Sequence, residues 1–110
     1  MLHWRDRNGG LKALLDALTI AGSALAAQSL NVGVIAGNVA NATTPGYTAK
    51  QAVFVPMNPG VSVGAVIDTG QSVDIAAEMV NLITARAAYQ AAVSVIETAD
   101  RMSNRLLAAV

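Results

Sequence analysis

Apolar residues in the first third of the chain recur at three- and four-residue intervals: Leu11, Leu14, Leu15, Leu18, Leu25, Val32, Ile35 and Val39. That spacing lines them along one side of an α-helix, with Lys12, Asp16, Thr19 and Ser23 as a narrow polar stripe opposite. Beyond Ser23 the stripe runs into Ala27 and Leu30, so the second half is apolar or small nearly all round, interrupted by Gln28, Ser29, Asn31 and Asn38. A helix of this kind is enclosed on several sides. The helix is predicted over residues 11–41, because Thr44 precedes Pro45 and is pushed out of the helical region, while Gly46 accepts positive φ. Residues 1–10, with Trp4, two arginines and Asn8-Gly9-Gly10, show no periodicity and are expected to form a disordered leader.

The pattern changes after Pro45-Gly46. Tyr47 to Val55 is rich in strand formers, and Val61, Val63, Ala65 and Ile67 alternate with their neighbours. Pro56-Met-Asn-Pro-Gly60 punctuates the two runs. The expectation is a small irregular β insert over 47–68, which is unstable alone and must lean on the helices or on another subunit. Ser72 is the predicted N-cap of a second helix over 73–108, with Asp74 and Glu78 near its positive end.

In that helix Ala85, Ala88, Tyr89, Ala92, Val95, Ile96, Ala99, Met102, Leu106 and Val110 oppose Arg86, Gln90, Ser94, Glu97, Arg101 and Asn104. This is the pattern of a coiled-coil seam, with Glu97 and Arg101 spaced to pair. The predicted seam comprises Leu18, Leu25, Val32 and Val39 from the first helix, with Met79, Leu82, Tyr89, Ile96, Met102 and Leu106 from the second. The fold class is mainly α: two long terminal helices packed as an antiparallel coiled-coil hairpin around a small β insert.

Composition sharpens this picture. Charged residues are 13% of the 110 and apolar ones 54%, far from the roughly 25% charged of an ordinary soluble domain. A small chain with so much apolar surface associates. Basic and acidic residues cancel and are scattered, which excludes the electrostatic footprint of a nucleic-acid binder. Without cysteine there is no disulfide framework or thiolate metal site. The charge-free run from Ala17 to Ala49 has the length of a membrane span, but Gln28, Ser29, Asn31 and Asn38 within it disfavour an integral membrane protein. Arg5, Arg7 and Lys12 before Ala24-Leu25-Ala26 imitate a secretory signal, and Asp16 interrupts its apolar core.

No catalytic, metal or cofactor site is expected. The single histidine lies in the leader, and Asp74 with Glu78 reads better as a pair of helix-start carboxylates than as an acid–base dyad. Gly33 and Gly37 lie mid-helix and form no phosphate loop.

Three blocks are decisive together: Ser23-Ala24-Leu25 with Ala27-Gln28; Asn38-Val-Ala-Asn41-Ala-Thr-Thr44-Pro45-Gly46-Tyr47; and Glu78-Met79-Val80-Asn81-Leu82-Ile83 through Tyr89-Gln90-Ala91. They resemble the bacterial flagellar basal-body rod family, which includes hook and other axial proteins, and the resemblance covers roughly residues 18–110. The chain is most similar to a short proximal rod protein. It departs from the family pattern in a very short centre, in Ala92 where asparagine is common, and in its leader.

The resemblance implies one rod-type domain over 11–110, a structural subunit of the basal-body rod that works by helical coiled-coil self- and hetero-assembly. Its implied partners are itself, other axial proteins and the flagellar export apparatus, and its implied location is the periplasm-spanning rod, reached without a cleaved signal peptide. Asn38, Asn41, Thr44, Pro45, Gly46 and Tyr47 would terminate the first helix and brace its exit; as a bare helix stop they need no role between subunits. The alternative is a small soluble helical-hairpin adaptor or homodimer derived from rod proteins.

Overall fold

The computed structural model describes residues 4–109. It contains four elements: α1 (Trp4–Ala40), β1 (Lys50–Met57), β2 (Gly60–Asp68) and α2 (Ile75–Ala108). The two helices run antiparallel and the strands form a two-stranded antiparallel sheet between them in sequence. The molecule is a rod of 66 × 22 × 14 Å.

The expected leader needs correction, since α1 begins at Trp4 rather than at Leu11. Gly9 and Gly10 each cost a helix about 0.5–1 kcal/mol, but adding residues to an existing long helix is far easier than nucleating one. Met1 to His3 and Val110 lie outside the described residues. At the other end α1 closes at Ala40, followed by turns through Gly46, whose φ is +77°.

The N-cap of α2 also differs from expectation. Asp74, not Ser72, sits in the extended conformation and accepts the Ala77 N–H, placing Glu78 in the first turn. Asp74 fits because a carboxylate both accepts the orphan N–H and meets the positive helix end. Glu97 and Arg101 form no ion pair among the described residues; Arg101 donates instead to Thr98 Oγ1.

The seam between the helices is built from small residues. In α2 the buried positions are Glu78, Ala85, Ala92 and Ala99, every seventh residue. In α1 Leu14, Ala21 and Ile35 are buried on the matching repeat, with half-buried Gln28 completing it. Leu14 lies across from Ala99, and Gln28 and Ile35 lie across from Ala85 and Glu78, which fixes the antiparallel register. A heptad repeat keeps one narrow line of each helix against the other.

The hairpin lies along α1. Its strands pair from Lys50↔Asp68 to Met57↔Gly60 with a bulge between Val53 and Phe54. At the tip, Val61 N–H donates to Ser23 Oγ at 3.1 Å, and Ser23 Oγ donates to the Ile20 carbonyl at 2.7 Å. The last residue of the polar stripe of α1 thus carries the hairpin rather than facing water.

Candidate assembly surface

The exit of α1 is held by side-chain amides. Asn38 is 1% exposed, the most deeply buried polar residue described. Its Nδ2 donates to the Lys50 carbonyl and its Oδ1 accepts the Lys50 N–H, both at 2.8 Å; Tyr47 Oη donates to the same oxygen at 3.2 Å. Asn41 turns back along its own helix, donating to the Gly37 carbonyl at 2.9 Å and accepting from Thr44 Oγ1 at 3.2 Å. The Asn38 contacts tie the end of α1 to the first residue of β1, and the Asn41 side chain adds a second donor to a Gly37 carbonyl that already accepts the Asn41 N–H. Asn38 with Tyr47 and Asn41 with Thr44 thus form two side-chain pairs, linked through the backbone by the Asn41 N–H to the Asn38 carbonyl and the Tyr47 N–H to the Thr44 carbonyl, while Pro45 and Gly46 are exposed and form the turn.

A second cluster closes the hairpin base. Lys50 Nζ lies 2.6 Å from Asp68 Oδ2 and 5.2 Å from the centre of the Tyr47 ring, while Thr48 and the Gly70 N–H donate to Asp68 Oδ1. The Lys50 ammonium, then the Thr48 hydroxyl, then the Gly70 N–H hold the Asp68 carboxyl well below the usual carboxylate range. The pair is partly exposed, so its role is to fix geometry more than to add stability.

The residues expected to form the seam divide. Leu18, Leu25, Val32, Leu82, Ile96 and Leu106 are half-buried, whereas Val39, Met79, Tyr89 and Met102 are exposed. Tyr89 borders a surface groove with Ser29, Val32, Leu82 and Arg86. Met102 borders an apolar groove of about 440 Å³ at the other end, beside Leu14, Val95 and Ala99.

The outside is as apolar as the pattern implied; what sequence reasoning missed is that Met79 belongs to it rather than to the seam. Ile75, Met79 and Ile83 follow one another at four-residue steps on α2, with Val80 beside them; Val80 is 62% and Ile83 68% exposed. Leu11, Leu15, Ile20 and Leu30 are exposed on α1, and Phe54, Met57, Val66 and Ile67 on the hairpin. The all-round apolar character of both helices was the available signal. Single exposed apolar residues are ordinary, but this many, with a row of them on α2, mark surfaces that meet other proteins or lipid. Both helices are indeed long and apolar enough to cross a membrane by length and composition.

No group of three or more His, Cys, Asp or Glu side chains able to hold a metal occurs among the described residues. Asp74 and Glu78, the candidate carboxylate pair, have separate tasks: Asp74 caps Ala77, and Glu78 is buried.

Residues 18–48 match the family described as flagella basal body rod protein, and residues 69–109 match the family described as flagellar basal body rod FlgEFG protein C-terminal. The flagellar basal-body rod protein FlgC of Salmonella typhimurium is 37% identical over 129 residues, covering 86% of this chain and 96% of the relative. The chain belongs to the flagellar basal-body rod protein family.

FlgC of Escherichia coli O157:H7 has the same identity and coverage, and FlgC of Buchnera aphidicola subsp. Acyrthosiphon pisum is 33% identical over 131 residues. The two family matches fall on the two helical ends of this rod-family chain and leave the hairpin strands between them.

Proposed function

We infer that this chain is a structural subunit of the flagellar basal-body rod, assembling through the apolar faces that its own fold leaves open, and that it catalyses no reaction. The observation that carries this reading is the row Ile75, Met79, Val80 and Ile83, exposed on a helix whose opposite line is packed against α1. A surface presented to a different surface of the next subunit gives open, helical stacking rather than a closed ring. The partners are further copies of this chain and other axial proteins.

The same reading extends to export through the flagellar apparatus with the N-terminus kept, and to a place in the part of the rod that crosses the periplasm. Retention of α1 is supported by its contacts: cleavage after Ala26 would remove Leu14 and Ala21 from the seam and Ser23 from beneath Val61. Insertion of α2 in a bilayer is opposed by Arg86, Glu97, Asp100, Arg101 and Arg105 along it. The test is deletion of the gene with complementation. Loss of rods and motility, restored by the wild-type chain and not by Ile83→Asp, supports the reading. Normal rods in the deletion strain overturn it, and the mass of the chain recovered from basal bodies decides whether the N-terminus is retained.

A further inference from the structure

Where α1, the hairpin base and the first turns of α2 meet, a cavity of about 300 Å³ opens between them. Glu78 lines it and is 7% exposed. Among the described residues Glu78 accepts no hydrogen bond to its side chain and forms no ion pair. No fully enclosed side-chain oxygen lacks a partner, so its carboxylate remains reachable from the cavity. A carboxylate that reaches water only through such a cavity is stabilised by a compensating charge. The start of α2 supplies only part of one, and Asp74 shares it as the cap.

The cations nearby are committed or distant. Between residues 17 and 96 the charged side chains are Lys50, Asp68, Asp74, Glu78 and Arg86. Lys50 is paired with Asp68. Arg86 lies two helical turns beyond Glu78, beside Tyr89 in a different groove. This end of the molecule therefore carries three carboxylates against two cations, while at the opposite end α2 carries Arg101 and Arg105 together with Glu97 and Asp100, and Lys12 of α1 is paired with Asp16.

The walls of the cavity narrow the choice of occupant. Gln28, Asn31, Gln51, Asn81 and Thr84 line the same cavity and add neutral oxygens, of which Gln28 Oε1 already accepts from Asn31 and the Thr84 hydroxyl donates to the Val80 carbonyl. Several acceptors arranged about one anion suit a planar guanidinium with five N–H donors better than a compact ammonium.

We propose that this cavity is a socket for an arginine side chain of a neighbouring axial subunit, with Glu78 as its counter-ion. The proposal rests on the rod-subunit reading and specifies the chemistry of one contact within it. A helix end bearing exposed arginines, such as Arg101 and Arg105, is the kind of surface that fits, and charge pairing would fix the axial register that apolar faces alone leave loose.

The test uses the full chain. Arginine amide serves as a guanidinium probe in an NMR titration of the side-chain amides of Asn31 and Asn81, with Glu78→Gln and Glu78→Asp as variants. Expected are saturable shifts in the wild type, at least tenfold weaker binding in Glu78→Gln, and partial recovery in Glu78→Asp. The Glu78→Gln melting temperature should stay within a few degrees of that of the wild type, since the side chain has no hydrogen bond or ion pair among the described residues to lose. In the complemented deletion strain, Glu78→Gln should lower rod completion at least tenfold, and Glu78→Asp should restore part of it. Equal probe binding by wild type and Glu78→Gln, or rods completed at wild-type frequency by Glu78→Gln, overturns the socket. The rod-subunit reading is judged separately, by the deletion strain alone.

Discussion

The carboxamide of Asn38 pairs with both backbone groups of Lys50, giving and receiving one hydrogen bond of 2.8 Å each, across twelve residues of chain. It thereby imitates a strand neighbour and joins the end of α1 to the start of β1. Asn38→Ala leaves the Lys50 N–H and carbonyl without partners in a buried place, and should lower stability by about 1–3 kcal/mol. Tyr47→Phe removes only the 3.2 Å bond to Asn38, and should cost about 0.5–1.5 kcal/mol. Urea unfolding followed by circular dichroism measures both, and equal effects would contradict the assigned order.

The hairpin tip depends on Gly60. Its φ is +112°, and a Cβ there would stand 2.3 Å from Ser23 Oγ and 3.0 Å from Ser23 Cβ. Backbone strain alone is worth about 1–3 kcal/mol, so Gly60→Ala should destabilise the chain and free the tip from α1. Ser23→Ala removes the closer clash but also the acceptor for Val61 N–H. The double variant should then be less destabilised than the sum of the two singles, which a double-mutant cycle measures.

Asp68 makes stability at the hairpin base depend on acid. Its folded-state pKa is held below the unfolded one by Lys50 first, then Thr48 and the Gly70 N–H. The contribution is fully present above the unfolded carboxylate value of about 3.9 and is lost as pH falls toward the folded value. Thermal melts from neutral pH into acid should show wild type slightly above Asp68→Asn, with the gap closing in acid. A gap that widens below the ordinary carboxylate range would reverse the assignment.

Much of the architecture could be read from pattern because local signals agreed. Thr44-Pro45-Gly46 stops a helix whatever surrounds it, and Pro56 to Gly60 separates two runs of strand formers. The seam was less legible. Periodicity weights large apolar residues, yet Ala85, Ala92 and Ala99 are buried while Met79, Tyr89 and Met102 are exposed. On helices that are apolar nearly all round, the face used within the chain and the faces left for neighbours carry the same signal. Nor does Asn38 announce its contact with Lys50, because an asparagine near a helix end serves equally well as a local stop.

Aspartate substitutions should separate folding from assembly. Ile96 is half-buried, and Ile83 is 68% exposed. Ile96→Asp places a charge at a half-buried position and should lower the melting temperature, as should Leu25→Asp and Leu106→Asp. Ile83→Asp should melt within a few degrees of the wild type and still fail to associate. Light scattering on a sizing column, read beside the melts, distinguishes the two effects. An Ile83→Asp chain with wild-type association would remove this face from the assembly surface.

The alanine line of α2 sets how near the helices approach. Ala85, Ala92 and Ala99 are 2%, 7% and 3% exposed, and the register places Ala92 opposite Ala21. Two alanines facing each other leave no space for a larger side chain, and inserting methylenes into a packed seam costs about 1–3 kcal/mol through displaced backbone and strained rotamers. Ala92→Leu should therefore destabilise the chain despite adding apolar area, whereas Ala91→Leu, on the exposed side, should leave it nearly unchanged. The sign is diagnostic: a seam held mainly by buried apolar area would gain from leucine, and one held by close backbone approach loses. Denaturant midpoints of the two variants decide between these, and a rise for Ala92→Leu would show that the helices can part without loss.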